Sequence, residues 1–72
     1  MSIKRAILDA LEDKYNSDIS SADATIKIYL EKPVGIGEHP QHLEEVDKLI
    51  NKIAEAKDKL EVIKEFEPAE KL

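Results

Sequence analysis

The chain has 72 residues, about half the length of a typical domain, so it forms at most one small domain. Its 11 Lys and Arg residues against 16 Asp and Glu residues give a formal net charge of −5. This balance argues against binding of nucleic acid or an anionic membrane through a basic face. Because the chain has no cysteine, a disulfide framework, thiol catalysis and zinc sites built on thiolates are excluded.

The sequence also argues against a membrane location. No apolar run approaches the roughly 18 residues that a membrane span needs. The first residues, MSIKRAILDALEDKY, become acidic too early for a signal peptide. We therefore expect a cytoplasmic protein that neither crosses nor binds a membrane.

The first arm of the chain predicts a helix over about residues 2–32, with Ser2 as its N-cap. Apolar residues recur along one face at intervals of three and four: Leu8, Leu11, Tyr15, Ile19, Ala22, Ile26 and Tyr29. Small polar residues over 16–21 lower the helix propensity, so a break there is one alternative. A strand over 25–30 is another, although no second strand-like segment could pair with it.

Residues 33–39 predict a loop, because Pro33, Gly35 and Gly37 would interrupt a helix. A phosphate-binding loop is the functional alternative for the two glycines. Both phosphate fingerprints fail, since no Gly-Lys-Ser/Thr follows and no strand precedes. A turn between two helices is the preferred interpretation.

The second arm predicts a helix over about residues 40–66, with Pro40 in its first turn and His39 or Gly37 as its cap. Its apolar stripe has the spacing of a helix that packs on another helix: Val46, Leu49, Ile53, Ala56, Leu60 and Ile63. Glu44 and Glu45 suit the positive end of the helix dipole. Pro68 ends this arm, and residues 67–72 are predicted to be a frayed tail.

Together the two arms predict an all-α fold, an antiparallel two-helix hairpin in a single domain. Large apolar residues off the two stripes would stay exposed: Ile3, Ile7, Ile28, Leu30, Leu43 and Ile50. Ordering the chain costs roughly 110 kcal/mol, which requires about 4,300 Å² of apolar burial. Even a compact monomer would barely reach that area. We therefore predict a homodimer, in which two hairpins form a four-helix bundle.

Few residues are candidates for chemistry. Glu38, His39, His42 and Glu45 lie around the start of the second helix, and imidazole with carboxylate can ligate a divalent metal. Solvated loop and cap residues are the simpler interpretation. Lys4 and Arg5 form only a local basic spot. We predict no catalytic, cofactor or metal residues, and no enzyme.

The chain resembles a group of small phage proteins. Residues 28–40, IYLEKPVGIGEHP, together with residues 44–49 and 54–62, are similar to uncharacterised proteins of marine T4-like tailed phages of cyanobacteria. The resemblance implies a phage setting but no activity, cofactor or catalytic residue. The preferred hypothesis is therefore a small acidic helical module for protein–protein interaction, with an unidentified protein partner. The alternatives are a structural or assembly subunit and a small metal-binding protein that uses His39 and His42.

Overall fold

The computed structural model describes residues 2–31 and 42–67. Helix α1 spans Ile3–Glu31 and helix α2 spans His42–Ile63, followed by a short 3₁₀ helix over Lys64–Phe66. Arg5 contacts Glu67 at one end of the pair, and Tyr29 contacts His42 at the other. The helices are therefore antiparallel, and the described residues form an all-helical hairpin without strands.

Helix α1 begins as the sequence predicts and runs without a break. The backbone N–H of Arg5 donates to Ser2 Oγ at 3.0 Å, so the N-cap prediction is confirmed. Residues 16–21 and 25–30 are all helical, so the helix break and the strand are both wrong. Packing of Ile19 and Ala22 against α2 outweighs the weak propensity of the small polar residues around them.

The seam between the helices consists of the two predicted apolar stripes. All thirteen stripe residues are buried or half-buried, as predicted. Leu8, Ala22, Ala56 and Ile63 are the buried ones, and no side chain of the described residues is fully enclosed. One layer of side chains thus forms the entire core, because each helix of a pair can bury only one stripe.

The C-terminal boundary differs from the prediction. The α-helix ends at Ile63 rather than 66, and the chain tightens into the 3₁₀ helix. Glu67, which the prediction assigned to a frayed tail, donates its backbone N–H to the Lys64 carbonyl and binds Arg5 through its carboxylate. The predicted loop 33–39, the cap His39, Pro40 and residues 68–72 lie outside the described residues.

The hairpin is thin and leaves much apolar surface in solvent. It measures 53 × 17 × 15 Å, and its radius of gyration of 16.4 Å exceeds the about 11 Å of a compact chain of this length. The six residues predicted to stay exposed are exposed, so that prediction is confirmed. Val62 and Phe66 are also exposed, which the sequence analysis missed.

Candidate interaction surfaces

One apolar groove lies at the end of the hairpin where Ser2 and Glu67 are found, which we name the open end. This terminal groove has a volume of about 320 Å³. Its lining is Leu8, Leu11, Tyr15, Lys59, Val62, Ile63 and Phe66. Leu8, Leu11, Tyr15 and Ile63 belong to the seam, while Lys59, Val62 and Phe66 form a second stripe at intervals of three and four, which runs from α2 into the 3₁₀ helix. The helical spacing of these three residues could have been used to predict this surface from the sequence.

Arg5 holds the segment that carries Phe66. Its guanidinium Nη2 donates to Glu67 Oε2 at 2.8 Å, and its Nε donates to Asp9 Oδ1 at 3.0 Å. Both side chains of the Arg5–Glu67 pair are largely shielded, with 25% and 12% exposed. Arg5 was predicted to form only a local basic spot, which is wrong. A guanidinium can bind two carboxylates at once, and this one ties the two ends of the described chain together.

Within residues 2–31 and 42–67, Lys59 is the only charged residue that lines the terminal groove. Its Nζ lies 5.4 Å from the centroid of the Tyr15 ring, within the range of a cation–π interaction. This contact crosses the seam from α2 to α1. It places the aliphatic stem of Lys59 along the groove, so even the charged residue contributes apolar surface there.

A second groove, the polar groove, lies on the other flank of the same end. Its volume is about 500 Å³, and Ile63 belongs to its floor as well. Lys57 and Glu61 of α2 and Lys64 of the 3₁₀ helix line it, on the side away from Val62. Including Glu12, Asp58 and Glu67, its lining holds four carboxylates and two ammonium groups, a net charge of −2. Identical copies would repel one another across this surface.

A third surface, the loop-end pocket, lies where α1 ends and α2 begins. Its volume is about 300 Å³, and its lining is Tyr29, Leu30, His42, Leu43 and Val46. The rings of Tyr29 and His42 meet edge to face, with centroids 5.8 Å apart at 76°. The His42 Nε2 atom is buried without a hydrogen-bond partner in the described residues.

The candidate metal ligands do not form a cluster in the described part of the chain. His42 packs against Tyr29, and Glu45 accepts a hydrogen bond from Lys48 Nζ at 3.4 Å. Residues 2–31 and 42–67 contain no group of three or more His, Asp or Glu side chains placed to hold a metal ion. Glu38 and His39 lie outside the described residues.

The remaining ion pairs on the hairpin are local. Lys14–Asp18, Lys27–Asp23, Lys48–Glu45 and Lys64–Glu61 each join residues three or four positions apart. The hydrogen bond from Lys27 Nζ to Asp23, together with the charge of that carboxylate, raises the pKa of Lys27 above 10.5. Such exposed pairs add little stability and leave the polar faces solvated.

Within the described residues, neither helix combines the length and apolar character that crossing a membrane requires. The chain matches no protein-family model, and it matches neither a curated protein nor a solved structure. Function is therefore inferred from the surfaces of the chain itself.

Proposed function

We propose that this protein is a small acidic module for protein–protein interaction, which associates with itself into a four-helix bundle and binds a further protein through the surface that remains. The observation that carries the proposal is the imbalance between core and surface. Four apolar residues are buried in the described hairpin, whereas eight large apolar residues are 49–80% exposed. Exposed apolar surface of this extent is typical of interaction sites.

The accessible area supports the same proposal. The chain exposes 5659 Å², against about 4,500 Å² for a compact protein of 8.1 kDa. The excess of about 1,200 Å² is larger than the about 800 Å² that each partner buries in an ordinary protein interface. One interface of ordinary size would therefore bring the exposed area of each copy close to that of a compact protein.

The electrostatics favour protein as the partner. A net charge of −5 gives the chain no basic stripe with which to displace counterions from a nucleic acid. Four of the eight described lysines bind a carboxylate three or four residues away, which neutralises part of the positive charge that a nucleic acid would need. We expect no measurable affinity for duplex DNA or RNA at physiological salt.

Sedimentation equilibrium over a hundredfold range of protein concentration tests the proposal. We expect the mass to rise from 8.1 kDa towards twice that value, with the helical circular dichroism signal rising in parallel. A protein that stays at 8.1 kDa while fully helical and cooperatively melting would refute self-association.

A structural or assembly subunit is the second candidate, and one observation favours it. The terminal groove and the loop-end pocket lie at opposite ends of a 53 Å hairpin. A copy that used both surfaces at once could contact two neighbours and build a larger assembly. Masses that continue to rise beyond the dimer would favour this candidate. The resemblance to marine phage proteins stays a prediction and is compatible with either role.

A further inference from the structure

We infer that the terminal groove is the surface through which two copies of this chain associate. The inference rests on the proposed function, since it names the surface that self-association uses. Three observations carry it: the charge of the groove, the exposed aromatic side chain at its border and the excess accessible area of the chain.

Charge selects between the two grooves of the open end. Two identical chains of net charge −5 repel each other, so they should meet where their carboxylates are fewest. Among the described residues, the lining of the polar groove has a net charge of −2, whereas the lining of the terminal groove has no carboxylate and one lysine. The Lys59 ammonium can stay at the rim of a closed interface because its long stem reaches solvent.

Phe66 supplies the apolar anchor. It is the only phenylalanine of the chain, and 56% of it is exposed. The adjacent Glu67 is bound by Arg5, so the backbone that carries Phe66 is already fixed before association. An aromatic side chain has few rotatable bonds, so it loses little conformational entropy on binding and is well suited to be an interface anchor.

The chain as a whole has enough excess accessible area for a second copy to cover. Val62 and Phe66 border the groove, and Leu8 and Leu11 form its α1 side. Pairing the groove with itself about a two-fold axis would place α1 and α2 of one copy against α1 and α2 of the other, as in a four-helix bundle. The excess accessible area of about 1,200 Å² per chain is enough for an interface of standard size.

The loop-end pocket is the competing surface, and it provides the matched control. Phe66→Ser and Leu43→Ser each remove one exposed apolar side chain, one from each surface. We expect Phe66→Ser to raise the dimer dissociation constant at least about tenfold, as loss of a central aromatic anchor does. Leu43→Ser should leave that constant within about twofold of the wild type, because surface substitutions away from an interface have small effects.

A cross-linking experiment tests the same inference in variants that keep Phe66. Because the chain has no cysteine, a single introduced thiol is unique. Val62→Cys lines the terminal groove, and Lys64→Cys, two residues further along, lines the polar groove. With a short bis-maleimide we expect covalent dimers from Val62→Cys at low micromolar concentration, and at most a trace from Lys64→Cys.

The possible results distinguish a failure of the terminal-groove interface from a failure of the proposed self-association. A wild-type chain that is monomeric at every concentration overturns both. A wild-type dimer that is unaffected by Phe66→Ser, is weakened by Leu43→Ser, or cross-links through Lys64→Cys overturns only the placement of the interface. If Phe66→Ser fails to fold, cross-linking through Val62→Cys alone decides: efficient cross-linking supports the groove, and its absence overturns it.

Discussion

The two flanks of the open end face solvent from the end of α2 and the 3₁₀ helix that follows it, yet their side chains differ in whether they have partners within the chain. On the polar flank, Lys64 binds Glu61, and Glu67 binds Arg5. On the apolar flank, Val62 and Phe66 are 49% and 56% exposed. Ile63 lies at the floor of both grooves. Within the described residues, one flank is thus satisfied by ion pairs, whereas the other exposes apolar surface that a second molecule could cover.

This difference shows that the seam and the flanks of a hairpin have separate roles. The seam specifies the fold, and it requires only that one stripe of each helix be apolar. The flanks are then available for interaction, and covering them in a dimer adds to the stability of the hairpin.

The largest effect is expected at the seam. Ile63→Asp places a charge where the side chain is 7% exposed, at a cost of about 4 kcal/mol or more. A domain of this size has only a few kcal/mol of stability, so we expect an unfolded chain. Far-ultraviolet circular dichroism measures this loss. Ile63→Val is the control and should cost about 1 kcal/mol while the chain stays folded. A helical, cooperatively melting Ile63→Asp variant would contradict the assignment of the seam.

The second-largest effect is expected from covering the apolar flank, and it is measured as a change in the melting temperature of the wild-type chain. If folding and association are coupled, a tenfold increase in protein concentration should raise the melting temperature by about 3–6 °C. The physical reason is mass action, because the folded dimer gains about 1.4 kcal/mol per tenfold increase in concentration. Thermal melts followed at 222 nm over three decades of concentration provide the measurement. A melting temperature independent of concentration would count against coupled folding and association.

The polar flank is tested through the Arg5–Glu67 pair. A double-mutant cycle with Arg5→Ala and Glu67→Ala should give a coupling energy of about 1 kcal/mol, because both side chains are largely shielded. The cycle is needed because both residues also take part in other interactions. Chemical denaturation of the four proteins measures the coupling.

The Lys64–Glu61 pair is the matched control for that cycle. Its side chains are 65% and 72% exposed, so its coupling energy should be about 0.3 kcal/mol or less. Equal coupling energies for the two pairs would show that shielding gives the Arg5–Glu67 pair no advantage.

The smallest effect is expected at Lys27, which lies outside both grooves. The hydrogen bond to Asp23 raises the pKa of Lys27 above 10.5, so Asp23→Asn should return that pKa towards 10.5. Because the folded pKa is raised, the pair's contribution to stability is present below about pH 10.5 and is lost as the pH rises through the folded pKa. Nuclear magnetic resonance titration of the Lys27 side chain measures the shift. An unchanged titration in Asp23→Asn would show that the pair does not persist in solution.

Much of the fold follows from local pattern. The intervals of three and four from Leu8 to Tyr29 and from Val46 to Ile63 predict which residues form the seam. Ser2 is recognisable as a cap because its hydroxyl needs only the backbone three residues ahead. The same periodicity of three and four residues could have predicted the apolar flank, since Lys59, Val62 and Phe66 have helical spacing.

Other features of the structure could not be predicted from local sequence pattern. The propensity of residues 16–21 is weak, and only packing against α2 keeps α1 continuous there. The volumes and borders of the grooves depend on how the two helices approach each other. For the same reason, the edge-to-face contact of Tyr29 with His42 required the structure.

The sequence by itself determined two amphipathic helices, the residues of their seam and an excess of apolar surface, because these properties depend on periodicity within one helix. Only the tertiary structure decided how that surface is divided between the two ends and the two flanks. Arg5 and Glu67 are 62 positions apart, and no local rule relates them. Their pairing holds the turn that carries Phe66, since the antiparallel packing of the helices brings the first turn of α1 beside the last residues of the described chain.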